Sequence, residues 1–392
     1  MARLTNEELN KIQKKFNVNR IWSYSRINTF QTSPYEYLLS YIKHIPSDKT
    51  DSIYVYTGSL SHDTLDKFYE NKIKYEDMIT EFNDGWTVYR EISQLKFDRT
   101  DESRDTNIAE KYKINLQHFF NYHTIYKHKL LIEKPIVINV NHNIFVGYAD
   151  AIFKDDKGNY HIIDFKSSSI FTGNVLNEHS TQLLLYAYGL SQMMNIPIDR
   201  IKCCFNFLKY CTIEYQQANG VIKTRNVERY KLGESLQSNL KVWIKKFGYT
   251  DQMDNILKEV LDTNGIECLP EDLRNMYKIT DCHIYINVNQ EAIDKLVEEI
   301  TSVIEDINFR EANYETTKSD KCFWDSEESI KKQSYYFANL CSYSANLHKP
   351  YKEYLESREN GAIDLFGNVG ADVKAEVQSS VVDTSLDWLN DI

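Results

Sequence analysis

Residues 145–166 read FVGYADAIFKDDKGNYHIIDFK. Two runs in it, Phe145–Phe153 and Tyr160–Phe165, are dense in aromatic and β-branched residues, and the polar, glycine-containing stretch Lys154–Gly158 lies between them. That pattern predicts a β-hairpin. Side-by-side pairing lets Asp150 and Asp164 converge near one point, and Lys166, two residues further on, shares the face of Asp164. Two carboxylates offer the hard oxygen ligands that a divalent cation takes. An ammonium beside a metal-bound water can orient that water and neutralise charge developing on a phosphate. The hairpin therefore points to metal-dependent hydrolysis of a phosphodiester.

A lone Asp-x-Lys is common at strand ends, so the reading depends on what accompanies it. Upstream, residues 58–62 (GSLSH) run into a helical pattern that continues through Leu65, Phe68 and Tyr69. Glu133 precedes the apolar strand Ile136–Val140. Gln182 and Tyr186 stand four residues apart on a helix expected over Ser180–Met194, which places them on one face. Each has an ordinary structural explanation: a capping histidine, a surface glutamate, a polar pair on a helix. Their order and spacing together are hard to produce by chance.

The arrangement resembles the RecB-type branch of the PD-(D/E)XK nuclease superfamily, which includes CRISPR-associated RecB-like exonucleases and phage recombination nucleases. Residues 23–37 (SYSRINTFQTSPYEY) are similar to that family's opening segment S-x-S-x-L-x-x-F-x-x-C-P-x-x-F. Gly58…His62 resembles its G-x-x-x-H, Gly147…Asp150 its G-x-x-D, Asp164–Lys166 its D/E-x-K, and Gln182…Tyr186 its Q-x-x-x-Y. The likeness covers about residues 20–200 and returns near 281–345. It implies an α/β, restriction-endonuclease-like core, a mixed central sheet flanked by helices, with helical insertions. It also implies roles. Asp150 and Asp164 would be the principal metal ligands, joined by the carbonyl of Phe165, by His62 and by Glu133 as a further acidic partner. Lys166 would position the attacking water, with Gln182 and Tyr186 supporting it or holding a phosphate. The metal would be Mg²⁺ or Mn²⁺ and the partner DNA. Position 164 carries Asp where Glu is the alternative, a shortening the superfamily accepts.

Composition agrees with this and adds limits. With 392 residues, 42% of them hydrophobic, the chain can bury a sizeable core. No N-terminal apolar leader and no uninterrupted apolar run long enough to span a bilayer occur, so a soluble, cytoplasmic protein without a membrane partner is expected. The net charge of −11 is unusual for a protein that meets phosphates. Nearly half of it lies in residues 360–392, which hold Asp364, Asp372, Glu376, Asp383, Asp387 and Asp391 against Lys374. A local cationic groove and bound metal can coexist with an acidic whole. No G-x-x-x-x-G-K-[ST] is present, so ATP-driven unwinding would need a partner.

Seven cysteines (203, 204, 211, 268, 282, 322 and 341) lack disulfide-framework spacing, as in a reducing compartment. Many RecB-type nucleases hold an iron–sulfur cluster on one upstream and three downstream cysteines, thiolates being the ligands such clusters require. Here Ser33 stands at the upstream position and Asp325 follows Cys322 where a second thiolate would stand. An iron–sulfur cluster is not expected.

The organisation expected is an N-terminal helix (1–20), a nuclease core (21–208) with a helical insertion at about 71–130, a hairpin and helical insertion (209–280), the C-terminal part of the core (281–350) and a flexible acidic tail (351–392). Two apolar islands in the tail, Ala362–Phe366 and Leu386–Leu389, resemble docking peptides for a replication or recombination protein such as a sliding clamp, a single-strand-binding protein or a helicase. The function expected is a DNA exonuclease of recombination, repair or replication, with a phage as its source. The alternatives are a structure-specific endonuclease and a non-catalytic DNA-binding scaffold on the same fold.

Overall fold

The computed structural model describes residues 3–49, 53–98 and 101–366. Among them one mixed sheet contains seven strands: β1 (Ile21–Trp22), β2 (Leu131–Val140), β3 (Asn143–Lys154), β4 (Tyr160–Lys166), β5 (Ile201–Gln216), β6 (Ile222–Glu228) and β7 (Tyr277–Tyr285). The expected hairpin is β3–β4, paired antiparallel from Ala151↔Ile163 to Lys154↔Tyr160. On its other edge β4 runs parallel to β5, with Asp164 opposite Phe205 and Lys166 opposite Phe207. The crossover between these two strands is the long helix Gly173–Met194. Among the described residues β2 pairs only with β3, and the long helix rather than a strand meets its outer edge, Gln192 bonding both the N–H and the carbonyl of Asn139; Pro135, which cannot donate to a ladder, is tolerated there. The sheet and its flanking helices form the restriction-endonuclease-like core expected from the sequence.

Thirteen helices surround it among the described residues: α1 (Asn6–Phe16), α2 (Tyr24–Thr32), α3 (Pro34–Tyr37), α4 (Ile53–Tyr69), α5 (Met78–Trp86), α6 (Glu102–Tyr122), α7 (Gly173–Met194), α8 (Leu232–Lys246), α9 (Met253–Thr263), α10 (Glu271–Arg274), α11 (Gln290–Thr317), α12 (Glu327–Lys332) and α13 (Lys349–Phe366). The period-two alternation of the central strands divides them between two faces. Ile162, Cys203, Phe205 and Phe207 pack with α2, α7 and α11, whereas Ile163, Phe165, Cys204 and Leu208 pack with α4, α5 and α6. Because both faces of β4 and β5 are covered, these strands read as nearly continuous apolar runs.

β5 runs across one of the expected divisions. It is 16 residues long, and its far half, Cys211 and Ile213, belongs to a third core with α8, α9 and Tyr277. The boundaries placed at 208/209 and 280/281 therefore fall inside β5 and β7. The β5–β6 hairpin turns at Asn219–Gly220, where Gly220 takes φ +84°. β7 begins at Tyr277, four residues ahead of the expected start of the C-terminal part of the core at 281. α7 likewise starts at Gly173, seven residues before the predicted helix. At the other end, Lys349–Phe366 is helical where the tail was expected to begin. The Leu386–Leu389 island lies outside the described residues.

The two ends of the chain meet at a buried polar junction. Ser33 Oγ donates to Asp325 Oδ2 at 2.9 Å and lies 3.1 Å from His348 Nε2, which is 3.2 Å from the same carboxylate oxygen. His348 Nδ1 accepts the Tyr351 backbone N–H, so in the neutral ring the proton sits on Nε2, facing Asp325 and Ser33. Ser33 and Asp325, the two positions where thiolates are missing, thus bond to each other, and His348, which reads as a surface residue, is completely buried. Ser33 also caps α3 by accepting the Glu36 N–H. Ser33→Ala would leave buried partners unsatisfied, and a loss of about 1–3 kcal/mol is expected. Urea unfolding of the variant against the parent chain measures it; equal midpoints and slopes would show that the junction contributes nothing.

Candidate active site

Four elements deliver the site. His62 sits on α4, Glu133 on β2, Asp150 on β3, and Asp164, Phe165 and Lys166 end β4. The backbone of Phe165 is the point they share. Its N–H donates to Asp150 Oδ2 at 2.8 Å, and its carbonyl accepts from His62 Nε2 at 2.9 Å. The other ring nitrogen of His62, Nδ1, is 3.6 Å from Asp150 Oδ2. One ligand atom from each of His62, Glu133 and Asp150 lies within 4.8 Å of the other two.

Glu133 reaches this group through an irregularity in the sheet. On either side of it the β2–β3 register is continuous, Ile132↔Ala151 and Lys134↔Ala149, which sets Glu133 opposite Asp150. Ala149 and Ile152 pack on the α7 face and Ala151 on the α4 face, so the alternation slips at Asp150. Glu133 itself has φ +50°, a left-handed backbone uncommon for a residue other than glycine or asparagine. The distortion turns two neighbouring carboxylates toward one place. Sequence reading put Glu133 ahead of its strand rather than in it, because a regular pleat gives no sign of the slip.

Asp164 and Lys166 occupy the other side of Phe165. Lys166 Nζ is 2.9 Å from Asp164 Oδ2, and Asp164 is 4% exposed. Asp164 is outside the three-residue group of His62, Glu133 and Asp150. Gln182 Nε2 donates to Tyr186 Oη at 2.9 Å, the helix-face pair expected four residues apart. The ring edge of Tyr186 meets the backbone of Gly147: a Cβ there would come 2.2 Å from the ring, so only glycine admits this approach.

The electrostatics follow from crowding. Burial pushes the Asp150 carboxyl up to about 7, with Asp164 adding to the shift and His62 opposing it. Burial pulls His62 down, but the carboxylates of Asp150 and Asp164 outweigh it and hold the ring above its ordinary value. Burial also opposes the Lys166 charge, yet Asp164 and Asp150 carry it to about 12. Asp66, one turn after His62 on α4, is pushed up to about 6 by burial and then by Glu133. Sequence reading missed Asp66, although the i, i+4 spacing from His62 was a signal for it.

This set suits a divalent cation. Carboxylate and carbonyl oxygens with one imidazole are a hard, mixed donor set. Burial comes first in raising Asp150 and Asp66, and the neighbouring carboxylates Asp164 and Glu133 add to it.

The family model of the PD-(D/E)XK nuclease superfamily matches residues 21–326, a span that holds every residue of the site. No curated protein matches the chain.

The raised Asp150 value sets a pH dependence. Between the ordinary carboxylate value of 3.8 and about 7 the folded state binds more protons than the unfolded one, so stability falls as pH rises. His62, also raised, acts in the same sense, since its contribution is lost as pH rises through its folded value. In EDTA, Asp150→Asn should therefore flatten the decline and be more stable than the parent at about pH 8. Urea unfolding across this range checks it; a parent chain whose stability rises over the same window would contradict the assignment.

Proposed function

The chain belongs to the PD-(D/E)XK nuclease superfamily, and from that premise we propose that it is a metal-dependent deoxyribonuclease of the RecB type whose reaction centre is built around the Phe165 backbone. The observation that carries the proposal is the convergence of His62, Glu133 and Asp150 within 4.8 Å, one residue away from the Asp164–Lys166 pair.

In this reading Asp150, Asp164, Glu133, His62 and the Phe165 carbonyl would hold Mg²⁺ or Mn²⁺. The ion supplies Lewis acidity and lowers the pKa of a bound water. The remaining work falls to the chain. The Phe165 N–H fixes one Asp150 oxygen, so the other is free to turn toward the shared space. Lys166, charged at any working pH, orients the water and offsets charge on the phosphate. The Gln182–Tyr186 pair supports Lys166 from α7 or holds a phosphate of the strand.

An exonuclease of recombination, repair or replication, from a phage, is the biological setting proposed, with a structure-specific endonuclease as the second reading. The set Asp150, Asp164, Lys166 and His62 disfavours a non-catalytic scaffold, since a chain without the chemistry has no reason to keep all four. The tail is proposed to dock a replication or recombination partner.

The decisive experiment incubates end-labelled single- and double-stranded DNA with Mg²⁺ or Mn²⁺ and resolves products over time. Asp150→Ala and Asp164→Ala should each abolish cleavage without unfolding the protein, and EDTA should stop it. Full activity in both variants at matched metal would reject the site. Lys166→Ala should lower the rate by about 10²-fold while metal affinity stays near the parent value, the scale of a lost transition-state contact. Lys166→Arg should rescue only in part, because a planar guanidinium cannot place a compact charge at the same point.

A further inference from the structure

Lys209 on β5 is 8% exposed, and a lysine is almost never buried so deeply without an acidic partner. Its ammonium lies over the face of Tyr112, 4.2 Å from the ring centroid. Among the described residues it makes no hydrogen bond and no ion pair. The attraction of a ring face recovers only part of the hydration that a buried ammonium loses. The fold therefore holds a cation that lacks an anion.

Two independent contacts place that cation. β4 and β5 run parallel and pair as far as Lys166↔Phe207, so Lys209 stands two residues beyond the end of the ladder, level with the chain that leaves Lys166. Tyr112 on α6 closes the same gap: its hydroxyl donates to the carbonyl of Ser167 at 2.9 Å while its ring faces Lys209. One tyrosine side chain thus touches both the ammonium and the residue after Lys166. Ser167 is 7% exposed, and its hydroxyl has no partner among the described residues. Ser168, the next residue, is completely buried, and its Oγ has none either. Gly58 on α4, one turn before His62, leaves room beside them. Beyond its own helix, a Cβ there would meet only Ser167 Oγ, at 3.8 Å. Gly58 is itself only partly buried, so Ser167 can be approached from that side.

We propose that Lys209 and Ser167 form a phosphate subsite that holds the DNA strand at the phosphate next to the one that is cut. The ammonium is a compact charge for a phosphate oxygen, and the hydroxyl adds a neutral donor. Contacts to phosphates fix the register of a strand without reading its bases. The subsite sets which linkage lies at Lys166, whatever the sequence. It rests on the deoxyribonuclease reading, and its test keeps the two apart.

In the full chain, Lys209→Met keeps the stem and removes the charge, Lys209→Arg keeps a charge, and Ser167→Ala removes the hydroxyl. Lys202→Met, at an exposed lysine of the same strand, is the control. Binding of a fluorescein-labelled single-stranded oligonucleotide is read by anisotropy in EDTA, from about 50 to 200 mM salt. Lys209→Met should bind about tenfold more weakly at the low end. Its slope of log affinity against log salt should be shallower by about 0.7, the worth of one phosphate contact on a single strand. Ser167→Ala should bind several-fold more weakly with the parental slope, because a hydroxyl displaces no counterion. Lys209→Arg should keep the parental slope. Without DNA, Lys209→Met should unfold in urea no earlier than the parent, since it has lost an unpaired buried charge. Affinity and slope in Lys209→Met no different from those of Lys202→Met overturn the subsite, and the lysine is then packing alone. If Lys209→Met does not fold, parental affinity in Ser167→Ala overturns it as well. A parent that binds the strand yet cleaves nothing in Mg²⁺ or Mn²⁺ rejects the nuclease reading, while the salt slopes still decide the subsite. A parent that binds no strand overturns both.

Discussion

A single peptide backbone carries the organisation of this molecule. Phe165 donates its N–H to Asp150 and accepts His62 through its carbonyl, and its chain neighbours are Asp164 and Lys166. Those contacts last only if β4 cannot shift. It is locked by antiparallel pairing to β3, parallel pairing to β5, and a Phe165 side chain that is 1% exposed in the core beneath α4, α5 and α6. A slip of one residue would exchange the two faces of the strand, sending Asp164 and Lys166 into the apolar core and Phe165 out of it. The apolar pattern of the sheet and the geometry of the polar centre are therefore one specification.

Much of this was legible in the residues. The β3–β4 hairpin follows from composition and turn chemistry, and the Gln182–Tyr186 bond follows from helical spacing. The shared side of Asp164 and Lys166 follows from a period of two. What the sequence hides is of a different kind. The slip at Asp150 and the left-handed Glu133 are departures from the pleat, and no local pattern announces a departure. The buried bonds of Asp325 and His348 leave no local trace, because each acquires its partner, Ser33, from about 300 positions away. The extent of β5 was missed because its apolar run breaks at Lys209 and Tyr210, which are accommodated where one core gives way to the next.

That long strand has a mechanical side. The first half of β5 belongs to the core around α7 and the second to the core around α8 and α9, and the pairing with β7 changes register between Asn206 and Cys211. A buried polar set stands at this change: Asp281 on β7 takes Arg229 Nη2 at 2.7 Å and His123 Nδ1 at 2.6 Å, and His123 Nε2 meets Tyr69 of α4. Tyr69 lies two turns beyond His62 on the same helix. The helical unit after β5 is thus tied, through three hydrogen bonds, to the element that presents the histidine.

The left-handed backbone at Glu133 has a consequence for how this protein can change over generations. Held at φ +50° in the middle of a strand, a glutamate stores unfavourable energy that glycine would not. Drift toward greater stability therefore pulls this position toward glycine, and only the use made of its carboxylate opposes that pull. A glutamate kept at such a position in related chains would mark retained chemistry, and a glycine there would mark a descendant that had given it up. The position reports on selection because the fold alone would not choose it.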